Sequence, residues 1–436
     1  MSDFTILLIG DSDSQLLACE ALCQSPSFQG VDVTINVIPR EGTPDLILSR
    51  IGRLGRIWRH DMGKLLTHPE LQGFDAIGVY LTGSKISDFR IALDLLPESK
   101  RPLLFCGFNG VVLEKFLEGL SWRLGYDLIS LSGPRDREAM ERMIQHTPYE
   151  QQRSVLVGLR RNGPLEREWL AQAERPRQFL FAEQVVMPSN QEDRAEMVRI
   201  LADLARRSPN WQVLIKPRIA PGESTFHALD AHISETLRQS IGQPPENLTI
   251  DYRPMPELLR SSRLMATVSS TAFFDALDFG CRPLVMADFG INPRYGSHVF
   301  AGSGVWCSLK DVVDLDALDQ EHPDPDQQWL SWMGYGDGFH PEDLVEALSD
   351  LKNKPRQRLK NKSGYLTNAN LSFTQLRRNA ETAIKARNWE EAASLLMLGT
   401  LLRPTHRNVA RRLSAVRQLN PVSRALLLLL TYREVG

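Results

Sequence analysis

Short apolar runs alternate with amphipathic stretches along the first 350 residues of the chain. Runs typical of strands that are covered on both faces occur at residues 4–9, 31–38, 74–81, 102–106, 178–181, 211–215 and 264–268. Turn residues follow these runs, and helical patterns such as residues 191–207 fill the intervals. This alternation predicts an α/β fold built from doubly wound parallel sheets.

Three segments are predicted from the distribution of these patterns. Residues 1–165 should form an N-terminal Rossmann-like domain, residues 178–351 a second Rossmann-like domain, and residues 366–436 a small α-helical tail. Trp389, Ala392 and Pro404 give the tail a pattern that resembles a tetratricopeptide helix pair. One such pair buries too little apolar surface to fold alone, so the tail should pack on the body or on a protein partner.

Three hydroxyl residues follow a buried strand in the second domain. Residues 264–268 are apolar, Ser269, Ser270 and Thr271 come next, and a helix should begin near Ala272. Hydroxyl side chains, free backbone N–H groups and the positive end of a helix dipole together favour a phosphate. The alternative is that a hydroxyl of this turn only caps the helix, as hydroxyl residues commonly do.

A helix and another strand should follow this turn. The helix should end at Gly280, and Pro283 opens another strand. The order of hydroxyl residues, an acid, Ala-Leu, Gly and Pro resembles the donor-binding half of GT-B glycosyltransferases. This resemblance implies that the three hydroxyl residues hold nucleotide-sugar phosphates and that Asp275 contacts the ribose. Asp275 stands where these enzymes usually have glutamate, and complementing the helix dipole is its alternative role.

Two carboxylates follow the first predicted strand. Asp11 and Asp13 lie in the turn after residues 4–9, at the carboxyl end of a strand, where open parallel sheets bind ligands. They are candidates for a general base and a positioning carboxylate, and an Asx turn with an N-cap explains the same residue types equally well. The Asp-Ser-Asp-Ser run resembles the opening of a family of uncharacterised bacterial glycosyltransferases. Related sialyl- and Kdo-type transferases also place an acidic base in the N-terminal domain.

Cations follow a strand of the second domain. Lys216 and Arg218 come directly after residues 211–215, where fixed positive charges would offset the charge of a departing phosphate, although surface ion pairs are the alternative. The segment resembles the Lys-Pro-His-Pro run of bacterial sialyl- and Kdo-type transferases, with Arg218 in place of the histidine. An arginine stabilises charge but cannot donate a proton, and His227 is the nearby candidate acid. Gln184 resembles the donor-side glutamine of capsule-type transferases.

Composition narrows the class of protein. The 436-residue chain has a formal net charge of −2, which indicates no nucleic-acid partner. Its five cysteines have no zinc spacing, and no apolar run reaches the ~18 residues of a membrane span, so we expect a cytoplasmic protein without a cysteine-bound metal. Arginines recur at every third residue in one stripe, which consists of Arg50, Arg53, Arg56 and Arg59. Three roles stay open for this stripe: peripheral contact with the inner face of the membrane, contact with an anionic acceptor, and exposure to solvent.

These patterns and resemblances predict a GT-B-type glycosyltransferase, and the resemblance implies that residues 1–165 are the acceptor domain and residues 178–351 the donor domain. It would move a sugar from a nucleotide sugar to a hydroxyl of a glycan or lipid-linked acceptor in bacterial surface polysaccharide or glycoconjugate synthesis. The resemblance favours an inverting displacement without metal or cofactor, and a CMP-linked donor slightly over a UDP-linked one. Two alternatives stay open: a non-catalytic assembly protein that docks partners through its helical tail, and a sugar-nucleotide epimerase on the same architecture.

Overall fold

The chain forms two units, and the computed structural model describes residues 4–24, 28–38, 45–93, 101–112, 116–147, 149–159, 169–185, 187–220, 232–336, 338–340, 342–352, 354, 373–402, 406–417 and 421–433. The first unit comprises Met1–Asn109, Phe116–Gly158 and Asp337–Gly436. The second comprises Gly110–Lys115 and Leu159–Gly336. Each unit contains one parallel sheet with helices on its faces, so the two predicted doubly wound domains are confirmed.

The sheet of the first unit has seven strands in the spatial order β3-β2-β1-β4-β5-β6-β7, and neighbouring strands pair in parallel. In chain order the strands are β1 (Thr5–Gly10), β2 (Asp32–Val37), β3 (Arg56–Trp58), β4 (Ala76–Val79), β5 (Leu103–Cys106), β6 (Leu128–Leu131) and β7 (Ser154–Leu156). The helices between them are α1 (Asp13–Gln24), α2 (Asp45–Ile51), α3 (Met62–Thr67), α4 (Ser84–Leu93), α5 (Phe116–Ser121) and α6 (Pro134–Ile144), with a 3-10 helix at Pro69–Gly73.

Alternating side chains of β1 explain why this sheet needs cover on both faces. Ile6 and Leu8 pack in one hydrophobic core, whereas Leu7 and Ile9 pack in another, and all four side chains are fully buried. Successive side chains of a strand point to opposite faces, so an unbroken apolar run can be buried only between two layers of helices. β1 is therefore the centre of the first unit.

The sheet of the second unit has six parallel strands in the order β10-β9-β8-β11-β12-β13. The strands are β8 (Gln178–Ala182), β9 (Gln212–Lys216), β10 (Leu248–Ile250), β11 (Leu264–Thr267), β12 (Arg282–Met286) and β13 (Trp306–Cys307). The helices are α7 (Gln191–Arg207), α8 (Ile233–Ile241), α9 (Met255–Ser261), α10 (Ala272–Asp278), α11 (Leu315–Glu321) and α12 (Gln327–Met333), with 3-10 helices at Gln172–Glu174, Pro293–Tyr295 and Ser297–Phe300. α10 ends as predicted before Gly280, which has φ 65°.

The last helices of the chain belong to the first unit. They are α13 (Glu342–Lys352), α14 (Phe373–Lys385), α15 (Trp389–Leu402), α16 (Arg407–Arg417) and α17 (Pro421–Arg433). α13 packs on β5 and β7, although the sequence prediction assigned it to the donor domain. α15 packs on α3 and α4, and its Leu396 shares a core with Leu65. The tail thus packs on the first unit, because its apolar face completes that core. Pro404, part of the predicted tetratricopeptide pattern, lies outside the described residues.

The four arginines at residues 50–59 lie on different elements. α2 ends at Ile51 and β3 begins at Arg56, so the residues do not share one helix. A Cβ on Gly55 would lie 2.1 Å from the carbonyl oxygen of Val33, so only glycine fits at this position. Arg50 pairs with a buried acid, Glu20, at 2.6 Å. In the described part of the chain, no helix is long and apolar enough to cross a bilayer.

Leu396 tests whether the tail is part of the first unit's core. We expect Leu396→Ala to lower the free energy of unfolding by about 2–5 kcal/mol, because the lost side chain leaves a cavity against α3. Leu429→Ala is the matched control, since Leu429 on α17 is exposed, and it should cost less than about 0.5 kcal/mol. Urea unfolding of the full chain measures both, and equal costs would contradict the shared core.

Candidate functional site

The strand order of the first sheet reverses between β1 and β4, and Asp11 lies directly after β1 at this point. Its side chain is only 1% exposed. Lys85, in the first turn of α4, donates a hydrogen bond from Nζ to Asp11 Oδ2 at 2.5 Å, while the Asp11 backbone N–H donates to Gln15 Oε1 at 2.6 Å. Open parallel sheets bind ligands where the strand order reverses. A buried carboxylate and a half-exposed ammonium therefore meet at the expected ligand position of the first unit.

Asp13, the second predicted carboxylate, is the first residue of α1. Its side chain lies outside the described residues. The neighbouring hydroxyl oxygens of Ser12 and Ser14 lie 3.5 Å apart. The structure thus gives side-chain contacts for Asp11, and the catalytic roles of Asp11 and Asp13 both stay predictions.

The strand order of the second sheet reverses between β8 and β11, where two predicted residues meet. Gln184, just after β8, accepts a hydrogen bond at Oε1 from the backbone N–H of Ser269 at 3.0 Å. Its Nε2 donates to Ser269 Oγ at 3.4 Å. Thr267 Oγ1 also donates to Gln184 Oε1, at 3.4 Å. One glutamine side chain therefore ties the end of β8 to the turn after β11.

The other hydroxyl residues of this turn have different roles. Ser270 Oγ accepts a hydrogen bond from the backbone N–H of Ala272 at 3.2 Å, which is the capping contact considered from the sequence. Thr271 precedes α10, is exposed, and makes no side-chain cap hydrogen bond. Asp275 lies half-buried in the first turn of α10. Ser269 and Ser270 thus shape the turn, and Thr271 lies exposed at the start of α10.

Lys216 and Arg218 lie at and after the end of β9, next to β8 in the sheet. Lys216 Nζ donates to the carbonyl of Pro217 at 2.9 Å. The Arg253 guanidinium, with Lys216 nearby, holds the pKa of Asp251 below its ordinary value. Arg218 has an exposed side chain. His227 lies outside the described residues.

A buried ion pair beneath this edge was not predicted from the sequence. Arg194 of α7 donates from Nη2 to Glu183 Oε1 at 2.6 Å and from Nη1 to the carbonyls of Gln184 and Val185, each at 3.0 Å. Glu183 Oε2 accepts from the backbone N–H of Arg218 at 3.3 Å. The pair therefore fixes both loops that carry predicted site residues. A charged residue in the apolar stripe of α7, three positions before Met197, was the available signal.

Metal ligands were also considered. Within the ranges that the structure describes, no three side chains of His, Cys, Asp or Glu come together to hold an ion. All five cysteines are free thiols. Burial raises the pKa of Cys106 and of Cys281 to about 12, so both are neutral at physiological pH.

The architecture is similar to that of solved structures. A Listeria monocytogenes protein described as "putative UDP-N-acetylglucosamine 2-epimerase" matches with a TM-score of 0.51 and 14% identity, over 82% of this chain and 100% of that chain. UGT89C1 of Arabidopsis thaliana, solved in complex with UDP, matches with a TM-score of 0.51 and 11% identity, over 80% of this chain and 100% of that chain. At such identities the similarity shows the fold, which is the predicted GT-B fold.

Two further comparisons concern the family. Among curated proteins no match is found. A family model described as "Putative glycosyltransferase (DUF6716)" matches residues 6–351, which include both parallel sheets and all the predicted site residues. The helical tail lies beyond the match. Because the match spans well over half of the sequence, the chain belongs to this glycosyltransferase family.

Proposed function

We propose that this protein transfers a sugar from a nucleotide sugar to a hydroxyl group of a glycan or lipid-linked acceptor, in bacterial surface polysaccharide or glycoconjugate synthesis. Family membership supports the reaction class. The observation that carries the proposal is the contact of Gln184 with Ser269, because it builds a polar turn at the strand-order reversal of the second sheet. The five free cysteines support a cytoplasmic location.

The donor is assigned to the second unit. Its phosphates would contact the exposed hydroxyl of Thr271 and the turn that Gln184 holds, while Asp275 is the proposed ribose contact. As the bond from the sugar to the phosphate breaks, negative charge grows on the departing phosphate, and Lys216 and Arg218 stabilise it. Charge stabilisation by these side chains supports a metal-independent reaction. The Lys-Pro-Arg segment slightly favours a CMP-linked donor, and UDP is the alternative.

The acceptor is assigned to the first unit, with Asp11 as the proposed general base and Asp13 as the alternative. The base takes the proton of the acceptor hydroxyl while the oxygen attacks the anomeric carbon. The new C–O bond forms as the bond to phosphate breaks, and the electron pair leaves with the nucleotide, so configuration inverts. Lys85 holds Oδ2 of Asp11 and thereby orients the carboxylate.

A second candidate is a sugar-nucleotide epimerase, because the fold is shared with the Listeria protein described as a 2-epimerase. The two functions differ in whether the reaction requires an acceptor. A glycosyltransferase requires an acceptor hydroxyl to consume its donor quickly, whereas an epimerase converts the donor alone. Donor turnover with and without a glycan or lipid-linked acceptor therefore separates the two functions.

Arg218 tests the donor assignment. In a panel of CMP, UDP, GDP and their sugars, we expect one nucleotide to raise the melting temperature. Arg218→Ala should lower kcat by a larger factor than it weakens donor affinity, because charge develops on the phosphate during bond cleavage. Arg238→Ala on α8 is the matched control, since its side chain is 75% exposed, and it should change neither quantity.

Two outcomes would contradict this assignment. Equal losses in kcat and in donor affinity would mean that Arg218 contributes only ground-state binding. Failure of every nucleotide to bind would favour the non-catalytic assembly protein. Calorimetric Kd values measured alongside kcat distinguish these results.

Asp11 and Asp13 are tested by replacement with asparagine, which keeps the size of the side chain and removes the proton acceptor. The base variant should bind the donor with unchanged Kd and lose about 10²- to 10⁴-fold in transfer rate. The other variant should lose less. Transfer at the parental rate by both variants would exclude the pair as the base and leave the Asx turn and cap as its role.

The contact between Asp11 and Lys85 is tested by a double-mutant cycle in unfolding free energy, with Asp11→Asn and Lys85→Met. Because the carboxylate is buried, we expect a coupling of about 1 kcal/mol or more. The exposed pair of Asp350 and Lys354 in the same unit is the control, with an expected coupling of about 0.3–0.5 kcal/mol. A smaller coupling for the buried pair than for the control would mean that Lys85 does not hold Asp11.

A further inference from the structure

The last helix of the tail, α17, presents apolar side chains to solvent. Val422, Leu426 and Leu429 are 72%, 57% and 65% exposed. At about 100° per residue these three positions fall within an arc of about 60° on one face of the helix. The opposite face, with Leu427 and Thr431, is buried against the rest of the tail. The apolar face of α17 is thus a feature of the folded tail.

The two helices that end the tail are also basic. From 407 to 433 the sequence contains six arginines and no acidic residue. Over the whole tail, residues 366–436, eleven Lys and Arg oppose four Asp and Glu, a net charge of +7, whereas residues 1–365 have 40 against 49, a net charge of −9. The tail, which carries the apolar face of α17, therefore has a net positive charge, whereas the rest of the chain has a net negative charge.

Some of these arginines make contacts within the protein, and others have exposed side chains. Arg412 pairs with Glu381 at 2.8 Å, and Arg417 donates to the carbonyl of Leu66 at 2.7 Å. Arg407 and Arg411, on the neighbouring helix α16, have exposed side chains. Exposed cations therefore lie on α16, the helix that packs against α17.

We propose that the α16–α17 surface docks on an anionic lipid membrane. Helices that lie in a bilayer interface combine an apolar face, which enters the boundary of the acyl chains, with cations that contact anionic headgroups. Basic segments are attracted to such a surface over about a Debye length. This docking does not depend on the proposed reaction, and it uses a different surface from the arginine stripe predicted at residues 50–59.

Other occupants fit these side chains less well. A second copy would bring two tails of net charge +7 together, which is unfavourable. Three aliphatic side chains on a 13-residue helix also offer much less than the ~800 Å² that each partner of a stable dimer buries. A nucleic acid would satisfy the arginines but would leave the aliphatic face in water.

The test is cosedimentation of the full chain with vesicles. The protein should pellet with vesicles of phosphatidylcholine mixed with phosphatidylglycerol, and only weakly with phosphatidylcholine alone. Leu426→Glu/Leu429→Glu should reduce binding to the anionic vesicles by about tenfold or more, because it places charge in the apolar face. Ile291→Glu/Val313→Glu is the matched control, since both residues are exposed in the second unit, and it should bind like the parent.

A charge variant and two further measurements complete the experiment. Arg407→Ala/Arg411→Ala should weaken binding to anionic vesicles and make it less sensitive to salt. Circular dichroism and melting temperature check that each variant is folded. Equal binding to neutral and anionic vesicles, binding to neither, or an equal loss in the control pair would overturn the proposal. Concentration-dependent dimerisation in sedimentation velocity, lost in Leu426→Glu/Leu429→Glu, would assign the face to a second copy and also overturn it.

Discussion

In a parallel sheet all strands end at the same edge, and this constraint determines where each unit of the protein can place chemistry. The order of strands reverses once in each sheet, beside β1 in the first and beside β8 in the second. At a reversal the connections leave toward opposite faces of the sheet, so the backbone diverges and room is left for a ligand. Asp11 and Gln184 both follow the strand at such a point, and each has a partner in the segment that follows the strand on the other side of the reversal.

A buried ion pair holds the loops that carry polar residues at the edge of the second sheet. Glu183 and Arg194 form an ion pair at 2.6 Å below the edge of the second sheet, where their remaining polar atoms meet backbone groups of the loops after β8 and β9. Removing two charges from water is costly, so such a pair contributes little to net stability. Its contribution is geometric, because breaking any one contact leaves a buried polar atom unsatisfied, and the loops therefore keep a single arrangement.

The sequence predicts elements whose pattern is long enough to be read locally. β1 and α7 were found nearly to the residue because a continuous apolar run and a 17-residue amphipathic period are strong signals. β3 and β7 have three residues each and were missed, since three residues carry no period. In the candidate site, the strand-end position of Asp11 was predictable. Its partner Lys85 was not, because 74 residues separate them and only the fold brings them together.

The return of α13 to the first unit has a consequence for synthesis on the ribosome. Leu344 and Leu348 of α13 pack in the same core as Ile6 and Leu8, yet the second unit lies between them in the chain. Domains fold largely as units while the chain emerges, N-terminal segments first. The second unit is nearly contiguous in the chain, whereas the nascent first unit keeps the part of its sheet over β5 and β7 without the cover of α13 until translation has passed this helix. Transiently exposed apolar surface promotes aggregation, so the order of the segments makes the nascent chain vulnerable until α13 has been synthesised.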